Sequence, residues 1–170
     1  MLRANDVHTL VDVRSYPSSR KYPQWNLPEI EAALPPDMGY IWLKALGGRR
    51  HTPAGTPSPN GGWRVKAFRD YADYMATASF KEGLDELMEI AGHDRAAIMC
   101  AEAVPWRCHR RLITDALLTR GIQVRHIMSA TSTKPASITP FAQLRGGELT
   151  YPPTVVTEDS AGYLERQADP

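Results

Sequence analysis

The sequence predicts an α/β fold: one small, doubly wound, mostly parallel sheet flanked by helices. Three observations predict it. The chain has 170 residues, within the roughly 100–200 usual for one domain. Four short strand-like runs are spread along it, and helix caps and stops lie between them. Strands alternating with helices are the signature of a parallel sheet with helical crossovers.

The elements follow in order. Thr9–Val13 (Thr-Leu-Val-Asp-Val) is the first strand and Tyr40–Leu43 the second. Between them Asn26 and Glu29 form a capping box for a helix that reaches Leu34 and stops at Pro35-Pro36. Gly47–Gly62 has no periodicity and exceeds an ordinary connection. Loops of that length serve as lids or lack order, so a mobile lid is expected, with an ordered loop pinned by Trp63 as the alternative. Phe68–Thr77 is a helix, and Ser79 with Glu82 caps the next, Phe80–Ala91, which Gly92 stops. Ala97–Cys100 is the third strand. Pro105 opens a long helix ending at Arg120 and closed by Gly121. Gln123–Ile127 is the fourth strand. A Ser/Thr/Ala/Pro stretch, Ser129–Thr139, leads to a hairpin of Phe141–Leu144 and Glu148–Tyr151 around Gly146-Gly147. The domain is expected to span residues 1–153, with 154–170 an acidic, polar, frayed tail.

Composition excludes several classes. No apolar run reaches the roughly 18 residues of a membrane span, and the first residues hold no signal-peptide core. Cys100 and Cys108 are too few for a disulfide framework, and 14 prolines and 12 glycines too few for a disordered chain. A cytoplasmic protein with no membrane contact is expected.

The net charge of +1 conceals a strong asymmetry. The segments Arg14–Gln24, Gly47–Arg69 and Glu102–Arg111 hold eleven Lys/Arg and one acid, Glu102. Each follows the end of a predicted strand, and ligands of open α/β sheets bind outside the carboxyl ends of the strands. Converging there, Arg14, Arg20, Arg49, Arg50, Arg107 and Arg110 would make a field that attracts an anion. The alternative is a scattered, solvated set of surface charges.

The densest chemistry lies in Cys100-Ala-Glu-Ala-Val-Pro-Trp-Arg-Cys-His-Arg-Arg. A helix start and nearby arginines favour thiolate, so Cys100 and Cys108 are candidate nucleophiles. Glu102, kept ionised by cations, suits a general base, a carboxylate nucleophile or a clamp for arginine. His109 is a candidate proton shuttle, and Arg110 a bidentate grip on phosphate or carboxylate. The alternatives stay open: Cys108 and His109 share helical faces with Leu112 and Ile113 and could simply be packed, and Glu102 could be a structural partner of Arg14 or Arg110. No metal is expected, because Cys108 and His109 are adjacent and neighbours on a helix point about 100° apart. No cofactor is expected either. A Cys100–Cys108 disulfide is geometrically conceivable, but a cytoplasmic setting disfavours it.

Several blocks together resemble a known family. Leu10-Val-Asp-Val-Arg-Ser-Tyr-Pro, Leu46-Gly-Gly-Arg-Arg, Phe68-Arg-Asp-Tyr-Ala-Asp-Tyr-Met, the block from Met99 through Cys-His-Arg-Arg to Leu117, and Ile138-Thr-Pro-Phe-Ala are similar to the bacterial "domain of unknown function 488" family. The resemblance implies a small α/β domain with Arg14, Cys100, Glu102, Cys108, His109 and Arg110 on signature positions, and it brings no settled activity. Two departures stand out. Family members open with a further strand and a Thr-Ile-Gly-His-Ser-like turn, whereas this chain starts near the end of the helix that follows. A sheet lacking that strand, with an exposed edge, is the expectation. The family also carries a histidine where this chain has Ala136-Ser137, so any role of that histidine is missing here.

The function expected is an enzyme acting on a phosphate-bearing small molecule such as a nucleotide. One alternative is a nucleic-acid-binding module, with Tyr16, Tyr22, Trp25, Trp63, Phe68 and Trp106 as stacking platforms among the cations; the near-neutral net charge weakens it. The other is a structural or regulatory domain with a vestigial site. Oligomeric state, including a homo-oligomer, is left open.

Overall fold

A computed structural model describes residues 1–153; the expected tail, 154–170, lies outside them. The fold is α/β. Its centre is a three-stranded parallel sheet of β1 (Thr9–Asp12), β2 (Gly39–Trp42) and β3 (Ala96–Met99) in the order β2-β1-β3. Val11 lies opposite Ile41 on one side and Ile98 on the other. All four residues of β1 are buried, as expected of a central parallel strand covered on both faces.

Alternation along β1 divides the interior. Val11 and Val13 enter the main core with Leu46, Tyr71, Phe80, Leu84, Leu112 and Ile113. Leu10, also buried, stands outside that cluster on the opposite face. Four helices surround the sheet: α1 (Leu27–Ala33), α2 (Lys66–Tyr74), α3 (Ala78–His93) and α4 (Arg110–Thr119). Each parallel connection needs a crossover, and right-handed crossovers to opposite sides of β1 put α1 on one face and α2–α3 on the other. Among the described residues no helix is long and apolar enough to cross a membrane.

Several local expectations are corrected. The run expected as a fourth strand forms β4 (Arg125–Ile127), which pairs antiparallel with β5 (Thr133–Pro135) and stays out of the main sheet. The Ser129–Thr139 stretch folds back at once through Met128 N–H to Ser132 O, which offers β4 a local partner. The two capping boxes are absent. Asn26 Oδ1 accepts the Ser19 N–H instead of capping α1, and Thr77, not Ser79, caps α3 by accepting from Phe80 N–H. α3 runs through Gly92 to His93. The helix expected from Pro105 divides into a 3-10 turn, Pro105–Arg107, and α4, with Cys108 extended between them (φ −136°, ψ 173°). Gly121 closes α4 at φ 79°, as expected. The hairpin is β6 (Gln143–Arg145) and β7 (Glu148–Thr150), with Gly146 and Gly147 at φ 57° and 82° in the turn.

The long loop is tied down at both ends. Arg50 lies 3.6 Å over the Tyr74 ring and donates to the carbonyls of Gly47 and Ala45. Asn60 donates to Asp73 and accepts the Tyr151 N–H, while Trp63 packs 5.0 Å from both Phe68 and Phe141. That is the pinned alternative, built on Trp63.

A buried ion pair closes the end of β1. Asp12, 0% exposed, accepts from the Nε–H and Nη2–H of Arg14, from the Arg14 backbone N–H and from the Tyr40 hydroxyl. Burial works against the Arg14 charge, but the bonds and charge of Asp12 hold its pKa above the ordinary value. Asp12→Ala is therefore expected to cost about 3–5 kcal/mol in chemical denaturation, because it strands a buried guanidinium. The double replacement Asp12→Leu, Arg14→Met should restore most of the loss. A single-variant loss under about 1 kcal/mol would remove the pair from this role.

Candidate functional site

Parallel strands deliver their following segments to one edge. Arg14 follows β1, the 3-10 turn Lys44–Leu46 and Gly47-Gly48 follow β2, and Cys100 follows β3. In the order β2-β1-β3 the connections leaving β1 and β3 diverge, which makes the crevice between those two strands the expected ligand position of such a sheet. The chemistry gathers there.

His109 precedes α4 and is 9% exposed. Its Nε2 lies 2.7 Å from the carbonyl oxygen of Val13. A carbonyl only accepts, so Nε2 carries a proton, and Nδ1 lies on the other side of the ring. That Nδ1 is 3.9 Å from Cys100 Sγ. Gly48 makes the ring's position feasible: a Cβ there would stand 2.3 Å from Nδ1. Glycine at 48 is thus required by close approach.

Cys108, 6% exposed, sits in the extended link before α4, outside the first helical turn. Its sulfur accepts the Arg110 Nε–H at 3.0 Å. The neighbouring Cys100 thiol is the largest influence on Cys108, drawing its pKa down; burial opposes this, and the Arg110 hydrogen bond and charge add to it, leaving a value of about 6. Cys100 moves the other way, pushed up to about 12 by Cys108 and by burial. The two sulfurs are thus driven apart in acidity, Cys108 toward thiolate and Cys100 toward thiol.

Cys100, Cys108 and His109 are also the groups that could hold a metal, with ligand atoms all within 4.8 Å of one another. Tetrahedral zinc with Zn–S bonds of about 2.3 Å would hold two sulfurs about 3.8 Å apart. The Arg110 guanidinium, bonded to one of those sulfurs, competes with any cation. The arrangement suits thiol chemistry better than an ion.

The remaining sequence candidates divide. Glu102 pairs with neither Arg14 nor Arg110 through its carboxylate: Arg14 is taken by Asp12, and Arg110 Nη2 donates to the Glu102 backbone carbonyl, leaving that side chain exposed. The Arg14 guanidinium, 7% exposed, also donates to Trp25 O, and Arg50 faces Tyr74, so neither points free donors at the thiols. Arg20 and Arg107 are exposed and make no side-chain hydrogen bond or ion pair among the described residues. Arg49 lies over the Tyr16 ring at 5.7 Å. Trp106 is 47% exposed, with the His126 ring edge-on at 6.2 Å.

His126, on β4, was not marked by the sequence. Burial and the Arg110 charge lower its pKa and keep it neutral. A histidine on an exposed-looking strand gives no signal until the chain's return over the Arg110 side is known. Asp12 and Gly48 were equally silent, the first read as one letter of a strand and the second as loop glycine. Two cavities, of about 230 and 270 Å³, lie by the long loop and α2, and neither is lined by the thiols.

No curated protein and no solved structure matches the chain. A family model described as "Domain of unknown function DUF488" matches residues 1–117. That span holds the whole parallel sheet, Arg14, the paired glycines, both cysteines, His109 and Arg110. The chain belongs to the DUF488 family.

Proposed function

We propose that the chain is an enzyme acting on a phosphate-bearing small molecule such as a nucleotide, with Cys108 as its nucleophile. The observation that carries this reading is the 3.0 Å hydrogen bond from Arg110 to the Cys108 sulfur. A thiolate, not a thiol, attacks an electrophile, and a fixed cation keeps it ionised at neutral pH. Arg20, Arg49 and Arg107 attract the anion, and the exposed Trp106 face offers a base somewhere to stack. His126, neutral beside Arg110, is the group suited to take a proton from water or a leaving group. Glu102 is a second acid–base group on the same side. Arg14 acts by positioning, through Asp12 and the end of β1.

A second reading has its own observation. Tyr16, Tyr22 and Trp25 are 61%, 50% and 54% exposed beside Arg20, Lys21 and Arg49, and Lys21 lies over the Tyr22 ring. Aromatics interleaved with cations are what single-stranded nucleic acid stacks on.

Two experiments test these readings. Iodoacetamide should alkylate Cys108 with a midpoint near pH 6, because the Cys100 thiol and the Arg110 guanidinium draw its pKa down, and Arg110→Met should raise that midpoint by about 1–2 units while Arg110→Lys retains most of the shift. A midpoint above 8 in the wild type would end the nucleophile's role. Mononucleotides or pyrophosphate should slow the alkylation at moderate salt. Protection by oligonucleotides alone, with affinity falling steeply as salt rises, would transfer support to the second reading.

A further inference from the structure

The two thiols and His109 form a unit that the enzyme reading does not use in full: Cys108 alone supplies the nucleophile, yet Cys100 and a correctly oriented imidazole stand beside it. We infer that Cys100 and Cys108 are a hydroperoxide-oxidised pair, in which Cys108 is oxidised first and Cys100 resolves it to an intramolecular disulfide. This inference shares only the ionised Cys108 with the proposed enzyme and is independent of its substrate.

Three geometric facts carry it. The sulfurs lie within 4.8 Å of each other, so a bond of about 2.05 Å needs a shift of under about 3 Å. Cys108 occupies the extended link between the 3-10 turn and α4 rather than a helical turn, where a change of χ1 breaks no helical ladder. The Nε2–H of His109 is committed to Val13 O, so Nδ1 is the ring nitrogen that faces Cys100 Sγ, at 3.9 Å.

The chemistry balances with one hydroperoxide as oxidant. The Cys108 thiolate attacks the terminal peroxide oxygen, the O–O bond breaks, and the alkoxide or hydroxide released takes a proton from solvent; Cys108 becomes a sulfenic acid. The Cys100 thiol then gives its proton to His109 Nδ1 and its sulfur attacks the Cys108 sulfur. The S–O bond breaks, and the departing hydroxide takes the proton back from His109 and leaves as water. Two thiols are oxidised and one peroxide is reduced to an alcohol or water. Arg110 loses its anionic sulfur partner when the disulfide forms.

The test uses the full chain, reduced and then treated with stoichiometric hydrogen peroxide. Peptide mass mapping should show a Cys100–Cys108 cross-link with the mass of two hydrogens lost, reversed by dithiothreitol. Cys100→Ala should stop at a Cys108 sulfenic acid that dimedone traps, and Cys108→Ala should abolish cross-linking. His109→Asn should slow the cross-link about 100-fold, as loss of a general base does, and leave the rate of sulfenic acid formation unchanged. Sulfenic or sulfinic acid accumulating on wild-type Cys108 without a cross-link, disulfides only between chains, or two unreactive cysteines would each overturn the inference. If iodoacetamide still finds a thiolate at Cys108 while peroxide yields no cross-link, this inference falls alone and the enzyme reading stands. If nucleotides fail to slow alkylation while the cross-link forms, the reverse holds.

Discussion

The fold depends on the carboxylate of Asp12. A fully buried charge on the central strand would be strongly unfavourable in isolation, and it is met by four donors of Arg14 and Tyr40. Tyr40 belongs to β2, so the carboxylate fastens β1 to its neighbour. Arg14 reaches on to Trp25 O, just before α1, which brings the first crossover onto the same knot. Trp42 Nε1 donates to Arg14 O and adds the end of β2. Local sequence spacing makes this feasible: Asp12 and Arg14, two apart on an extended chain, share one face.

The sheet was legible because its strands are short, apolar and separated by helical chain, and because β1 carries the uninterrupted burial of a central parallel strand. Gly121 and the Gly146-Gly147 turn were legible too, since a positive φ leaves a mark in composition. The fourth strand was misplaced for a physical reason. Gln-Val-Arg-His-Ile carries the β-branched residues of a strand, but composition does not name a partner, and the nearby Thr133–Pro135 segment supplied one. The caps failed similarly: Asn26 and Ser79 carry the right side chains, yet Asn26 found the Ser19 amide and Thr77 stood one residue ahead of the helix that Ser79 was assigned to open.

At the site, sequence pattern found the thiols, His109 and Arg110, because they lie within one short segment after a strand. It could not find what decides their state. That Arg110 turns back two residues to Cys108, that Arg14 is committed to Asp12 rather than Glu102, and that His126 returns near Arg110 are all consequences of tertiary contact. The count of cations was also misleading in one respect: Arg14 and Arg50 belong to the basic segments but serve the interior and the loop.

The bond from His109 to Val13 joins more than two residues. The Val13 amide is held by Met99 O on β3, while its carbonyl holds the imidazole at the start of α4. One residue therefore couples the central strand, an outer strand and the helix behind the thiols. The start of a helix usually frays on its own, at little free-energy cost, whereas fraying here also breaks a buried hydrogen bond to the central strand. The imidazole beside the thiol pair is consequently anchored to the sheet, while Cys108, in the extended link ahead of α4, keeps the local freedom to turn its sulfur.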